Sequence, residues 1–362
     1  MRNMNEPDKI VSERISQIPA QPKNSSKKGC LIISLVISTV ILCCFFFFLF
    51  IVLTLLFSSD YSANLSSDPQ LKQIHISGKK NSENKIAMIS IEGIILDDDT
   101  SWAKTANMKT IRDQLKEAAY DKKVKAVLLY INSPGGEITA TDILHHNIEK
   151  VKQIKPLVAM LGTVAASGGY YTAVASDYII ANHFTTTGSI GVIINSFNYY
   201  NLLLKIGVQD EVYKSKDMKD ILNPARPRTK GEKIIIQSLI NESYNEFAEV
   251  VSEGRIGKNK KLTAEYIKNS DIGDGRIFSG SQALKLGLID QLGYFEDAVK
   301  KTAELAQLKE NDYQLISYQK HLSLPDIFHK FMTKARSMTV DIPAIKQFNM
   351  LDSGKLYYLY RE

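Results

Sequence analysis

Apolar and polar positions change their rhythm three times along the chain. From Cys30 to Phe57 there is no charged residue, and Cys43 to Leu53 is almost purely apolar. A run of that length can cross a bilayer, which takes about 20 residues. Residues 58–84 are rich in Ser, Asn, Lys and Asp without sustained period, the pattern of a flexible tether. From Lys85 short apolar runs alternate with helical periods. Ile86 to Ile91, Val124 to Ile131, Leu157 to Leu161 and Tyr178 to Ala181 read as strands. Met108, Ile111, Leu115 and Ala118, and then Ile143, Leu144, Ile148 and Val151, recur at helical spacing between them. Strands alternating with helices predict an α/β layer structure with parallel strands. Further helices are expected over Lys230 to Arg255, with Ile234, Leu239, Tyr244, Phe247 and Val251 on one side, over Gly280 to Leu286 and over Phe295 to Leu308. The expected organisation is a terminal segment 1–29, an anchor 30–57, a tether 58–84, a folded domain 85–318 and an unassigned tail 319–362.

Charge gives the anchor a direction. Arg2, Lys9, Arg14, Lys23, Lys27 and Lys28 precede the span, and Asp60 follows it with no nearby basic cluster. Basic flanks stay in the cytoplasm, so the domain is expected on the outer, periplasmic side of the cytoplasmic membrane. A cleaved signal peptide is the competing reading, but its apolar core is usually about 7–15 residues and ends in a small-x-small site that Ser58-Ser59-Asp60-Tyr61 does not offer. The net charge of +6, from 45 basic and 39 acidic residues, is spread without a basic run or nucleic-acid motif, so no nucleic-acid partner is expected. Cys30, Cys43 and Cys44 all lie in or beside the apolar run. The domain beyond it therefore has no thiol nucleophile and no cysteine zinc site.

Two glycine-rich loops follow predicted strands. Asn132-Ser133-Pro134-Gly135-Gly136 turns with its amides bare and can aim N–H groups at a developing oxyanion, or it can be a plain strand-to-helix turn. In Ala165-Ala166-Ser167-Gly168-Gly169 the serine sits where a strand turns into a closely packed helix, which suits a nucleophile and equally an ordinary helix cap. A serine nucleophile needs a base. Of His75, His145, His146, His183, His321 and His329, His145 and His146 lie mid-helix with no carboxylate partner suggested by local pattern, His183 follows a strand end, and each suits a surface or packing role better than that of a base. A lysine kept neutral by desolvation is the alternative, and Lys214, Lys216 and Lys219 lie together on one loop; residue chemistry alone does not choose among them.

Taken in order, the Asn132–Gly136 loop, Ala166-Ser167-Gly168-Gly169-Tyr170-Tyr171, Thr187-Gly188-Ser189-Ile190-Gly191-Val192 and Lys214-Ser215-x-x-x-Lys219-Asp220 resemble the short form of bacterial signal peptide peptidase A, of peptidase family S49. Gly275-Arg276-Ile277-Phe278-Ser279-Gly280 and Gly287-Leu288-Ile289-Asp290 are similar to its later segment. The resemblance covers roughly Lys85 to Ala298. It implies a ClpP/crotonase-like spiral of β-β-α units behind one transmembrane helix, assembled into a homo-oligomeric ring. It further implies a Ser-Lys dyad with Ser167 as nucleophile and Lys219 as base, Ser189 orienting the lysine, and Gly136 as oxyanion donor, with Gly168 a second donor by geometry. No cofactor or metal is implied, and the substrates implied are cleaved signal peptides and other small or unfolded peptides at the membrane. Lys216 stands where the family commonly has glycine, which keeps Lys216 open as a rival base. Two other functions share the loops: a crotonase-type acyl-CoA enzyme on the same fold, and an inactive peptide-binding scaffold.

Overall fold

The structure is a computed structural model that describes residues 35–51, 71–97, 105–320 and 357–359. It divides into two units, Met1–Asp68 and Pro69–Glu362. In the first, residues 35–51 form helix α1, whose side chains are exposed throughout. Among the described residues no helix is long and apolar enough to cross a membrane. The expected span extends on both sides of α1, and its residues 30–34 and 52–57 lie outside the described residues, as do segment 1–29 and tail residues 321–356.

In the second unit the elements follow in order as β1 (Leu71–Gly78), β2 (Lys85–Glu92), β3 (Ile94–Leu96), β4 (Thr105–Asn107), α2 (Met108–Tyr120), β5 (Val124–Ser133) and β6 (Gly135–Glu137). Next come α3 (Ile138–Lys152), β7 (Leu157–Ala166), α4 (Gly168–Ala173), β8 (Tyr178–Ala181), β9 (Thr186–Gly188) and α5 (Tyr200–Lys205). After a 3-10 turn at Asp217–Asp220 the chain forms α6 (Lys230–Arg255), α7 (Ala264–Lys268), β10 (Ile277–Ser279), α8 (Gly280–Leu286), β11 (Gln291–Leu292), α9 (Phe295–Leu305), β12 (Gln314–Lys320) and β13 (Tyr357–Leu359).

The described strands make two sheets. The larger runs β1-β12-β2-β5-β7-β8-β11, with β9 beside β7 and β10 beside β9; the smaller runs β13-β6-β3-β4. From β12 to β11 the main sheet is parallel, as the alternation of apolar runs and helical periods predicts. Its strands are apolar on both faces because both are covered. In β5, Val127, Leu129 and Ile131 enter the core shared with α2, α3, α4 and α6, while Leu128 packs with Val158, Met160, Ile180 and Leu315 under α9. Each fully buried aliphatic side chain in these layers contributes roughly 1.5–3 kcal/mol. Helix α2 buries Met108, Ile111, Leu115 and Ala118 and is capped by Asn107, whose side chain accepts from the Thr110 amide at 2.8 Å.

Three segments differ from the sequence expectation. Part of the segment read as tether is β1, an edge strand paired antiparallel with β12; its mostly exposed and half-buried side chains leave no apolar period to read. The first half of α6 leaves Ile234 70% and Leu239 41% exposed, and the helix packs inward only from Phe247 and Val251. In the unassigned tail, β13 pairs antiparallel with β6.

Candidate active site

Ser167 is the hinge between β7 and α4. Its backbone sits at φ 52 and ψ −119, a left-handed conformation that costs a residue with a Cβ on the order of 1–3 kcal/mol and persists only when its surroundings hold it. They do so from both sides. The Ser167 amide donates to the Gly188 carbonyl at 2.7 Å, and the Ser167 carbonyl accepts from the Tyr171 amide at 2.8 Å. Parallel pairing of Ala166 with Gly188 sets that register, and the Thr187 hydroxyl reinforces it by donating to the Ala165 carbonyl at 2.6 Å. The outcome is a serine that is 1% exposed and whose Oγ has no hydrogen-bond partner. An unpaired buried hydroxyl costs about 1–3 kcal/mol, so the fold holds Ser167 in a doubly unfavourable state. Ser189 directly follows the glycine that grips Ser167; it too has a positive φ of 51, and its amide is tied to the Arg276 carbonyl at 2.8 Å.

The Asn132–Gly136 loop closes over the same point. Gly135 takes φ 104 and its amide donates to Ser133 Oγ at 3.1 Å. At Gly136 a Cβ would lie 1.9 Å from the Ile95 carbonyl oxygen, so only glycine lets β6 run beside β3. A Cβ on Gly168 would meet the Thr141 hydroxyl at 2.9 Å and the Gly136 amide nitrogen at 3.1 Å. The Gly136 amide and the start of α4 thus border one small space beside Ser167. Thr141, fully buried on α3, adds a second hydroxyl without a partner there. The other edge of β6 carries β13, with Tyr358 opposite Gly136, so an extended backbone can lie along the loop as an antiparallel strand.

The lysines stand apart from this cluster. Lys214 is engaged: its Nζ donates to Asp220 Oδ1 at 2.7 Å. Lys216 and Lys219 are exposed, and among the described residues neither side chain has a hydrogen-bond or ion-pair partner. The single chain therefore brings together Ser167, Ser189, Gly136 and Gly168, and no hydrogen bond joins Ser167 to Lys219. Asp220 is gripped by Arg226 and Lys214, which hold its carboxyl well below the usual carboxylate range. Arg226 also binds Glu232, whose carboxyl is pushed down to about 2 by that guanidinium and by the Thr229 amide. The Thr229–Glu232 pair is the capping box of α6 and could have been read from Thr-x-x-Glu; Arg226 between two carboxylates carries no such local signal.

Among the described residues no histidine hydrogen-bonds Ser167. His183 is exposed with Nδ1 3.2 Å from Ser281 Oγ, and His145 is buried edge-on to the Tyr171 ring, where desolvation lowers its pKa against the pull of Glu149 and Asp142. Among the described residues there is no group of His, Cys, Asp and Glu that could hold a metal ion.

The chain matches the family model of peptidase family S49 over residues 149–309 and that of Clp protease over residues 78–182. It is 38% identical over 295 residues to "Putative signal peptide peptidase SppA" of Enterococcus faecium, covering 80% of this chain and 81% of that one. "Putative protease slr0021" of Synechocystis sp. is 35% identical over 289 residues, 78% of this chain and 98% of its own. "Protease 4" of Haemophilus influenzae is 34% identical over 232 residues, which span 64% of this chain but 36% of that longer protein.

Proposed function

Since the chain belongs to peptidase family S49 and is a serine peptidase with a ClpP-like α/β fold, we propose that it cleaves peptide bonds with Ser167 as nucleophile and Lys219 as general base. The observation that carries this is the state of Ser167: strained, buried and unpaired, with Gly168 beside it packed close against Gly135 and Gly136. Neutral Lys219 takes the proton from Ser167 Oγ as that oxygen attacks the peptide carbonyl carbon. The oxyanion forms against the Gly136 and Gly168 amides, and Ser189 orients the lysine. Collapse breaks the C–N bond, and the lysine returns its proton to the leaving amine. Water, deprotonated by the same lysine, then hydrolyses the acyl ester and frees Ser167.

Substrates are proposed to be cleaved signal peptides and other small or unfolded chains, bound extended along the edge of β6 in place of β13, whose antiparallel pairing there supports this mode. A closed ring of subunits accounts for the arm between β9 and α6, which exposes Leu202, Leu204, Ile206 and Val208. Covering that arm would also desolvate Lys219, the condition for a neutral amine. Helix α1, with Phe47 67% exposed among a run of exposed apolar side chains, is the described part of a membrane anchor. The basic flank before Cys30 leaves the peptidase domain on the outer side.

A fluorophosphonate probe on the full chain in detergent tests the nucleophile and its base together. The adduct should map to Ser167, vanish in Ser167→Ala and fall at least about 100-fold in Lys219→Ala. Undiminished labelling of Lys219→Ala, with loss in Lys216→Ala or His183→Ala, would assign the base elsewhere.

A further inference from the structure

Among the described residues three helical threonines are fully buried: Thr141 of α3, Thr172 of α4 and Thr302 of α9. A threonine in a helix ordinarily discharges its hydroxyl on a carbonyl three or four residues back. Thr172 does so, donating to the Gly169 carbonyl at 2.8 Å, and Thr302 donates to the Ala298 carbonyl at 2.7 Å. Thr141 does not. Its Oγ1 is buried with no hydrogen-bond partner, a state that costs free energy the same helix could have spared by a simple rotation of the side chain. The place of this hydroxyl gives it another partner. Around the point where a side chain on Gly168 would begin, Thr141 Oγ1 lies at 2.9 Å, and the Gly136 amide nitrogen and Gly135 Cα each lie at 3.1 Å. The hydroxyl therefore converges with Gly136 and Gly168, the two residues whose amides are proposed to hold the oxyanion, and Ser167 directly precedes Gly168. Strand β13, whose place a substrate would take, lies beside both α3 and α4, the helices that carry Thr141 and Gly168.

We propose that the Thr141 hydroxyl is a third donor to the oxyanion, beside the Gly136 and Gly168 amides, and so a further catalytic residue. The proposal deepens the reading of Ser167 as nucleophile and rests on it. As Ser167 Oγ bonds to the carbonyl carbon, the carbonyl electron pair moves onto oxygen, and the hydroxyl donates a hydrogen bond to that oxygen without giving up its proton. The bond left unmade in the free chain is then made where negative charge develops. In a site from which water is excluded such a bond is stronger than in water, and a hydroxyl aims its hydrogen by rotation about one bond.

Steady-state turnover of casein by the full chain in detergent separates this role from packing against Gly168. Thr141→Val keeps the shape of the side chain and removes the donor. Its kcat should fall at least about tenfold with KM within about twofold of the parent, while its urea midpoint does not fall, because the hydroxyl it loses was unpaired. Thr141→Ser keeps the donor and should hold kcat within about threefold of the parent. A smaller loss than that in Thr141→Val overturns the proposal. So does a kcat that falls as far in Thr141→Ser as in Thr141→Val, since the two then share only lost packing. If Thr141→Val does not fold, Thr141→Ser is set against Thr141→Ala, which differ by the hydroxyl alone; serine should exceed alanine at least about tenfold in kcat, and a smaller ratio counts against the donor. Fluorophosphonate labelling of the parent is run alongside. An adduct absent from Ser167 removes the nucleophile and the proposal with it, whereas an adduct on Ser167 with an unmoved Thr141→Val kcat removes the third donor alone.

Discussion

At the scale of single residues, Ser167 carries both a conformational and a desolvation cost. Its φ of 52 burdens a residue with a Cβ, and its hydroxyl is buried without a partner. Both costs disappear with the side chain. Ser167→Gly should therefore raise stability by about 1 kcal/mol while abolishing turnover, read as a higher urea midpoint at unchanged slope; a lower midpoint would mean that the hinge is not strained. The two glycine loops were legible as strand-to-helix turns, and it was the order of the motifs, through the family resemblance, that singled out Ser167. The strain itself was not legible, since it arises from pairing with Gly188 across the fold. The lysine loop was legible only in part. Three lysines looked alike in sequence, and only the contact with Asp220 separates Lys214 from the other two.

Among elements, those with an unbroken period were readable and those set by their neighbours were not. The parallel strands β2, β5, β7 and β8 show apolar runs because each is sandwiched between two layers, and α2 shows a buried stripe at helical spacing. Strand β1 lies at an edge with little burial, and three-residue β13 is too short for any period. Helix α6 was placed correctly from Lys230 to Arg255 but not its inward face, because its first half is held by the Arg226–Glu232 clamp rather than by packing. That clamp has a pH signature. The Glu232 carboxyl is pushed from 4.5 to about 2, and that of Asp220 is lowered as well. A lowered carboxyl contributes stability that is full above its unfolded pKa and lost as pH falls through the folded one. The thermal midpoint of the parent should therefore drop more steeply than that of Arg226→Ala between about pH 4.5 and about pH 2. Parallel curves would show that the clamp contributes nothing to the fold.

On the scale of the whole molecule, the proposed nucleophile and the proposed base are not joined in the single chain. Ser167, Ser189, Gly136 and Gly168 are assembled within the second unit, while Lys219 projects from an arm whose apolar side chains are bare. The proposed assembly into a ring would cover the arm and give the lysine drier surroundings. The likeness to S49 peptidases over most of the chain places the unit among serine peptidases. Ser167 and Lys219 are proposed to transfer one proton as a unit. The most direct test is turnover of an unfolded protein such as casein by the full chain in detergent, comparing the parent with Ser167→Ala, Lys219→Ala and the double variant. Each single change should cost on the order of 1,000-fold in kcat, and the double variant should lose no more than either alone, because groups that act together are not additive. A Lys219→Ala chain within about tenfold of the parent, or a double variant whose loss is the product of the two single losses, would contradict it.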